Sequence, residues 1–360
     1  MRILHIITSL RSGGAERLVT EIIPRLKSMG HESEIYVFDA TPTPFYKQLE
    51  EKDIKIRGGW KGAWQMWNPF HFFKIRKLLG KESFDIVHTH NTSAQLLTAF
   101  AKGKSVVKAV TTEHNITNRR RKWNWFRKID RSMYGRYDHI VCVSEMTKKN
   151  LLENIGISFE SMISVIANGV DLRLFAGKLR ELGKKGNRCV VLMVGAFRKQ
   201  KDQATLIKAM KHLDNNYVLW LAGGWNGREE CMRLAEELKV GHKVEFLGEK
   251  GDIPKLLAKA DIVVLSSHYE GHPLSAIEAM ASGCPLIASD VPGLKEVVEE
   301  AGLLFREGDD RQLADLIQRV QADDELRAEV SDRCRERSKQ YDINNTVERY
   351  ANLYLTLLSK

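Results

Sequence analysis

The run Glu270-Gly271-His272-Pro273-Leu274-Ser275-Ala276-Ile277-Glu278 places two carboxylates around what reads as the start of a helix. A strand, Asp261–Leu265, ends just before it, and Pro273 suits the first helical position. The N–H groups of Leu274 and Ser275 then point out of the helix start, where they can hold a diphosphate. Glu278 lies about one and a half turns into the helix, while Glu270 precedes it. One carboxylate can therefore sit by a reacting sugar while the other accepts hydrogen bonds from paired hydroxyls. Two glutamates at this spacing also fit an ordinary helix, but that does not account for the whole run through Cys284-Pro285.

Two further loops carry related chemistry. In Val194-Gly195-Ala196-Phe197-Arg198-Lys199-Gln200-Lys201-Asp202, three cations lie between a strand and a helix, where a phosphate can be clamped. A solvated basic loop would read the same way. Ser12-Gly13-Gly14-Ala15-Glu16 follows the first strand and opens a helix. Its glycines permit a tight turn, and free N–H groups favour an anion or an oxygen-rich ligand, although ordinary turns of this kind also use glycine. His88 and His90 alternate at a strand end. Without further ligands converging on them they read as a polar pair, not a metal site.

The elements that must position these loops alternate short β-branched runs with amphipathic helical stretches, as in parallel sheets covered by helices. Strands are predicted at Ile3–Ile7, Glu34–Phe38, Asp85–His88, Val106–Thr111, His139–Val143 and Ile163–Ile166. After Gly177–Asn187, which is rich in Gly and Lys and lacks an apolar pattern, the series restarts. Its strands are Cys189–Val194, Tyr217–Leu221, Lys243–Phe246, Asp261–Leu265 and Pro285–Ala288. Helices follow at Gln312–Val320, Glu325–Gln340 and Asn345–Leu358. The expected architecture is α/β: two doubly wound, Rossmann-like parallel-sheet domains, 1–176 and 177–340, with 341–360 a helix returning to the first. Ligands of such sheets bind beyond the carboxyl ends of the strands, in a cleft that the two domains face.

Composition agrees with two globular domains: the 360 residues are 43% hydrophobic and 28% charged, which argues against disorder and fibrous repeats. The longest apolar run, Cys189 to Phe197, falls well short of the about 18 residues needed to span a bilayer. Met1–Leu10 lacks a cleavage-site pattern, and the five cysteines are widely spaced with no CxxC. A cytoplasmic protein with reduced thiols is expected. The net charge of +10 is uneven: residues 1–170 hold 27 Lys+Arg against 16 Asp+Glu, and the rest is close to balance. Two stretches join this charge to large aromatics, Trp60–Leu79 and Arg119–Lys128. They read as a solvated face whose aromatics pack inward, or as attachment to an anionic membrane surface. Nucleic-acid binding is disfavoured because no recognition motif accompanies the charge.

Taken together, these motifs resemble the retaining nucleotide-sugar glycosyltransferases of family four, with the GT-B fold, over nearly the whole chain. Gly13-Gly14-Ala15-Glu16 resembles the family's N-terminal glycine loop, and Thr112-Glu113-His114-Asn115 its histidine segment. Val143-Ser144 and Asn168-Gly169-Val170-Asp171 look like the markers before its linker, and Glu270 and Glu278 match its Glu-x7-Glu pair. The resemblance implies that Glu278 binds the ribose hydroxyls, Glu270 contacts the donor sugar and Lys201 holds the diphosphate. It places His114 near the sugar, and Gly13 and Gly14 in a loop that approaches donor or acceptor. The family commonly has Arg directly after the phosphate-loop glycine; here that position is Ala196, and Arg198 is the expected substitute. Leu274 and Ser275 complete the diphosphate contacts. No cofactor and no metal are implied, and no Asp-x-Asp motif is present. The expected partners are a nucleotide-sugar donor and a saccharide acceptor, lipid-linked in view of the basic aromatic N-terminal half. A nucleotide-sugar epimerase and a non-catalytic nucleotide- or polysaccharide-binding protein are the alternatives.

Overall fold

The computed structural model describes residues 1–11, 13–103, 105–116, 124–175, 188–224 and 227–359. The chain forms two compact units, one built from Met1–Gly169 and Ile343–Lys360, the other from Val170–Asp342. The sequence-derived boundary at 176/177 lies outside the described residues.

Unit 1 contains strands β1 (Arg2–Ser9), β2 (Glu32–Asp39), β3 (Ile56–Trp60), β4 (Ile86–His90), β5 (Lys108–Glu113), β6 (His139–Cys142) and β7 (Ile163–Val165). They pair in the order β3-β2-β1-β4-β5-β6-β7, all parallel. Its helices are α1 (Gly14–Ser28), α2 (Pro44–Glu51), α3 (His71–Lys81), α4 (Thr92–Ala101), α5 (Asn124–Tyr134) and α6 (Glu145–Ile155). Unit 2 contains β8 (Cys189–Val194), β9 (Tyr217–Ala222), β10 (Val244–Gly248), β11 (Ile262–Leu265), β12 (Leu286–Ser289) and β13 (Leu303–Phe305), ordered β10-β9-β8-β11-β12-β13 and again parallel. Helices α7 (Gln203–Ala209), α8 (Arg228–Glu237), α9 (Ile253–Leu257), α10 (Leu274–Ser282), α11 (Lys295–Val298), α12 (Asp310–Ala322) and α13 (Asp324–Ser338) surround it; α14 (Ile343–Leu358) belongs to unit 1.

Each sheet is thus doubly wound. Strand order reverses between β1 and β4 in unit 1, and between β8 and β11 in unit 2, the points where open sheets of this kind bind ligands. The two strands not anticipated from sequence, β3 and β13, both lie at sheet edges. β3 reads Ile-Arg-Gly-Gly-Trp and is half exposed, and β13 has three residues, so neither shows an apolar period.

Sequence explains why α14 belongs to unit 1. Ile343, Val347, Tyr350, Ala351, Tyr354 and Leu357 recur at helical spacing and are buried against Ile3, Ile86, Val110 and Val141 of the sheet and Leu18 and Ile22 of α1. Each large side chain so buried stabilises unit 1 by about 1.5–3 kcal/mol. Gly169 permits this approach, because a Cβ there would lie 2.6 Å from Thr346 Oγ1 and 2.8 Å from Ile343 Cα. Val170 N–H donates to the Tyr341 carbonyl at 2.9 Å and Val170 pairs with Asp342, so the outgoing and returning stretches of chain run side by side.

Candidate active site

At the strand-order reversal of unit 2, the loop after β8 meets the loop after β11. Lys201 Nζ donates to Glu270 Oε1 at 2.6 Å, and Ser267 Oγ donates to the same oxygen at 2.6 Å. Gln200 Nε2 donates to the Tyr269 carbonyl at 2.8 Å, and His268 N–H donates to the Gln200 carbonyl at 2.8 Å, which ties the two loops together. Glu270 is buried and Lys201 half-buried, so the pair is shielded from solvent. Close backbone packing fixes the geometry. A Cβ on Gly293 would lie 1.7 Å from the Glu270 carbonyl, and one on Gly223 would lie 2.0 Å from that of Gly195. Gly293 also has φ +84°, so two independent reasons require glycine there.

Helix α10 starts just beyond. Pro273 is its N-cap, with φ −75° and ψ 114°, one position earlier than the sequence predicts, because that extended ψ holds it outside the helix. It supplies no side-chain cap, so the N–H groups of Leu274 and Ser275 remain directed at the helix start. Glu278 lies on the buried side of α10, and its exposure of 2% shows a carboxylate held inside the domain. Arg198 is exposed; it starts the short turn Lys199–Lys201, and its N–H donates to the Ala196 carbonyl at 2.7 Å. Asp202, at φ +48°, accepts from the Thr205 N–H and so caps α7. Of the predicted residues of unit 2, Lys201 and Glu270 are therefore in contact, and Leu274, Ser275 and Glu278 share α10.

Gly13, Gly14 and His114 belong to unit 1, at the carboxyl ends of β1 and β5. Gly13 N-caps α1, and no atom of the described residues lies within 4 Å of where a Cβ of Gly14 would stand. Asn91, which the sequence reading overlooked, follows β4 with φ +71° and ψ 150°, a strained backbone for a residue with a side chain. Its Nδ2 donates to Glu16 Oε1 at 2.9 Å and Thr8 Oγ1 at 3.3 Å, joining the ends of β1, α1 and β4.

Four histidines run from the middle of β1 and β4 to the carboxyl ends of β4 and β5. His5 pairs with His88 across β1 and β4, and His5, His88 and His90 are fully buried. His88 Nδ1 meets Tyr354 Oη at 2.6 Å and its Nε2 meets Thr112 Oγ1 at 2.7 Å. His90 Nε2 lies 3.4 Å from His5 Nδ1, and His90 Nδ1 lies 3.2 Å from His114 Nε2. Burial pushes His5 down to about 3 and holds His88 and His90 well below the usual imidazole range. It also lowers His114 to about 4, against the pull of Glu113. All four rings are neutral at pH 7. His5, His88 and His90 offer ring nitrogens within 4.8 Å of one another, as a metal site would. Five of their six nitrogens are already engaged with each other, with His114 or with hydroxyls, so the arrangement is built as a hydrogen-bonded array.

The stretch Trp60–Leu79 turns its aromatics outward, opposite to the inward packing that a solvated basic face would show. Trp64, Trp67, Phe70 and Phe73 are between 63% and 72% exposed, while Phe72 packs on the core. The polar residues face inward instead: Gln65, Asn68 and His71 are buried, with Asn68 Nδ2 donating to Gln65 Oε1 at 2.8 Å and His71 Nδ1 meeting Tyr36 Oη at 2.9 Å. In the second stretch, residues 119–123 lie outside the described residues.

Residues 12–174 match the sequence model of Glycosyltransferase Family 4, and residues 177–337 that of Glycosyl transferases group 1. Over 308 residues, 79% of this chain and 78% of the relative, the chain is 29% identical to the UDP-Gal:alpha-D-GlcNAc-diphosphoundecaprenol alpha-1,3-galactosyltransferase of Escherichia coli. It is 27% identical over 356 residues to the phosphatidyl-myo-inositol mannosyltransferase of Mycolicibacterium smegmatis, covering 96% of this chain and 90% of that one. Among solved structures, Anabaena HepE in complex with UDP and glucose matches with a TM-score of 0.85 at 22% identity, over 98% of this chain and 99% of that chain. This likeness shows the fold. The paired sheets, the ordered motifs and the family matches lead to one conclusion: the chain belongs to the glycosyltransferases of GT-B fold, with a family 4 N-terminal half and a group 1 C-terminal half.

Proposed function

We propose that this glycosyltransferase moves a sugar from a nucleoside diphosphate to a lipid-linked saccharide, with retention of configuration and without a divalent metal or other cofactor. The observation that carries the reading is the shielded Lys201–Glu270 pair beside the uncapped start of α10. Breaking a sugar–diphosphate bond places negative charge on the departing oxygens, and fixed donors aimed there supply the stabilisation. Lys201, Arg198 and the N–H groups of Leu274 and Ser275 are those donors. Glu278 accepts from the ribose hydroxyls, Glu270 lies by the donor sugar, and Gly13, Gly14 and His114 contact sugar or acceptor. The bond from the sugar carbon to the diphosphate breaks, one to the acceptor oxygen forms on the same face, and the hydroxyl proton leaves with the diphosphate. UDP in the Anabaena complex and the undecaprenol- and inositol-linked acceptors in the relatives' names support the substrate classes.

Membrane-bound acceptors fit the outward aromatics of 60–73 and the positive N-terminal half, and we place the enzyme on the cytoplasmic face of a membrane. No helix among the described residues is long and apolar enough to cross one. Thermal unfolding in EDTA with UDP, GDP and ADP in turn tests the donor reading. Ligand at a hundred times its dissociation constant adds about 2.7 kcal/mol, a rise of several degrees in Tm. One nucleotide is expected to give that rise, and Glu278→Ala to abolish it. No rise with any nucleotide would sink the reading.

A further inference from the structure

The histidine array of the unit 1 sheet has a direction. His5, His90 and His114 form a chain of two ring-to-ring hydrogen bonds, His5 Nδ1 to His90 Nε2 at 3.4 Å and His90 Nδ1 to His114 Nε2 at 3.2 Å. A neutral imidazole carries one N–H and one bare nitrogen, so whichever way one bond points, the next must follow. The far end is closed: His5 Nε2 is buried and has no partner among the described residues. If both bonds pointed toward His5, that nitrogen would carry a buried N–H with no acceptor. Pointing toward His114 leaves only a bare lone pair there, and orphaned buried N–H groups are the rarer defect in folded proteins. His5 Nδ1–H then donates to His90 Nε2, His90 Nδ1–H donates to His114 Nε2, and the His114 proton is left on Nδ1.

We propose that His90, backed by His5, is a positioning residue that fixes the tautomer and ring orientation of His114, so that it meets the substrate as an Nδ1–H donor. The proposal rests on the reading of His114 as a sugar-contacting residue, and it extends the site by two side chains that do not touch substrate themselves. His88 acts beside them. Tied to Tyr354 and Thr112, with Tyr350 Oη 3.1 Å from Thr112 Oγ1, it packs against His90 at a centroid distance of 4.2 Å and backs the relay with α14.

The test is the ring-nitrogen 15N spectrum of the full chain labelled at histidine, assigned with His114→Asn. The expected result is an Nδ1–H pattern at His114 in the wild type. His90→Phe, which keeps a ring but removes the N–H that donates to His114 Nε2, is expected to mix the His114 tautomers. It should lower kcat about tenfold and leave the nucleotide-induced rise in Tm, a property of unit 2, unchanged. An Nε2–H pattern at His114, or a His114 signal indifferent to His90→Phe, would overturn the proposal. So would one tightly bound metal ion per purified chain, because the nitrogens would then be ligands. The spectrum needs no activity, so the relay and the transferase reading can fail separately: an absent nucleotide effect strikes the second alone.

Discussion

Arg198 and Lys201 sit three positions apart in one loop and have different surroundings. Lys201 is bound to a buried carboxylate, so Lys201→Ala leaves Glu270 uncompensated as well as removing a phosphate contact. Arg198 is exposed, and its replacement is the cleaner probe of the leaving group. Arg198→Ala is expected to slow turnover about a hundredfold, about 3 kcal/mol, if its guanidinium takes the place vacated at Ala196. Lys199→Ala, in the same loop and also exposed, is the control; equal rates for the two variants would show that Arg198 does not contact the diphosphate. The sequence named every one of these side chains because strand, loop and helix signals bracket them. It missed Gly293 and Asn91, whose importance comes from what the fold brings against them: the Glu270 carbonyl in one case, the ends of β1 and α1 in the other.

Among the elements, the turn Ala63–Trp67 and the start of α3 are the unusual ones, with polar side chains inside and rings outside. Lys74 Nζ lies 3.5 Å from the Trp60 ring centroid, so charge and aromatic surface are interleaved. The proposed membrane docking would draw on these rings, suited to the interface, and on cations worth about 1 kcal/mol each near an anionic surface. Co-sedimentation with vesicles containing anionic lipid should be strong at low salt, fall as salt rises, and weaken in the double variant Trp64→Ala/Trp67→Ala. Binding that ignores both lipid charge and salt would remove the basis for the idea. Periodicity located eleven of the thirteen strands named above and the three closing helices, since buried parallel strands read as apolar runs. It gave no view of which way Trp64 and Trp67 face, because a short 3-10 turn has too few residues to show a period.

At the scale of the molecule, the neutral histidines link stability to pH. An unfolded imidazole takes up its proton near pH 6.5, whereas burial holds His114 to about 4 and His5 to about 3. Below pH 6.5 the unfolded chain therefore binds protons that the folded chain refuses, and stability is lost progressively as pH falls toward 4. In unit 2, His272, lowered to about 4 by burial and by Arg337, contributes with the same sign. Tm measured from pH 7.5 down to 4.5 should fall, and less steeply in His5→Phe; parallel curves would show that His5 does not resist protonation. Doubly wound halves were legible because motif and period repeat in each; the exact passage between them was not, because Gly169 is required by packing against a helix nearly 180 residues later.

That helix has a consequence for biosynthesis. Val170–Asp342 is one continuous stretch, whereas unit 1 is interrupted and waits for α14. As the polypeptide leaves the ribosome, the order usual for two-domain chains is reversed: the later-made unit can close first, and the earlier one is finished last. Until α14 arrives, the sheet face formed by Ile3, Ile86, Val110 and Val141 lacks its α14 cover and shows apolar surface of the kind chaperones bind.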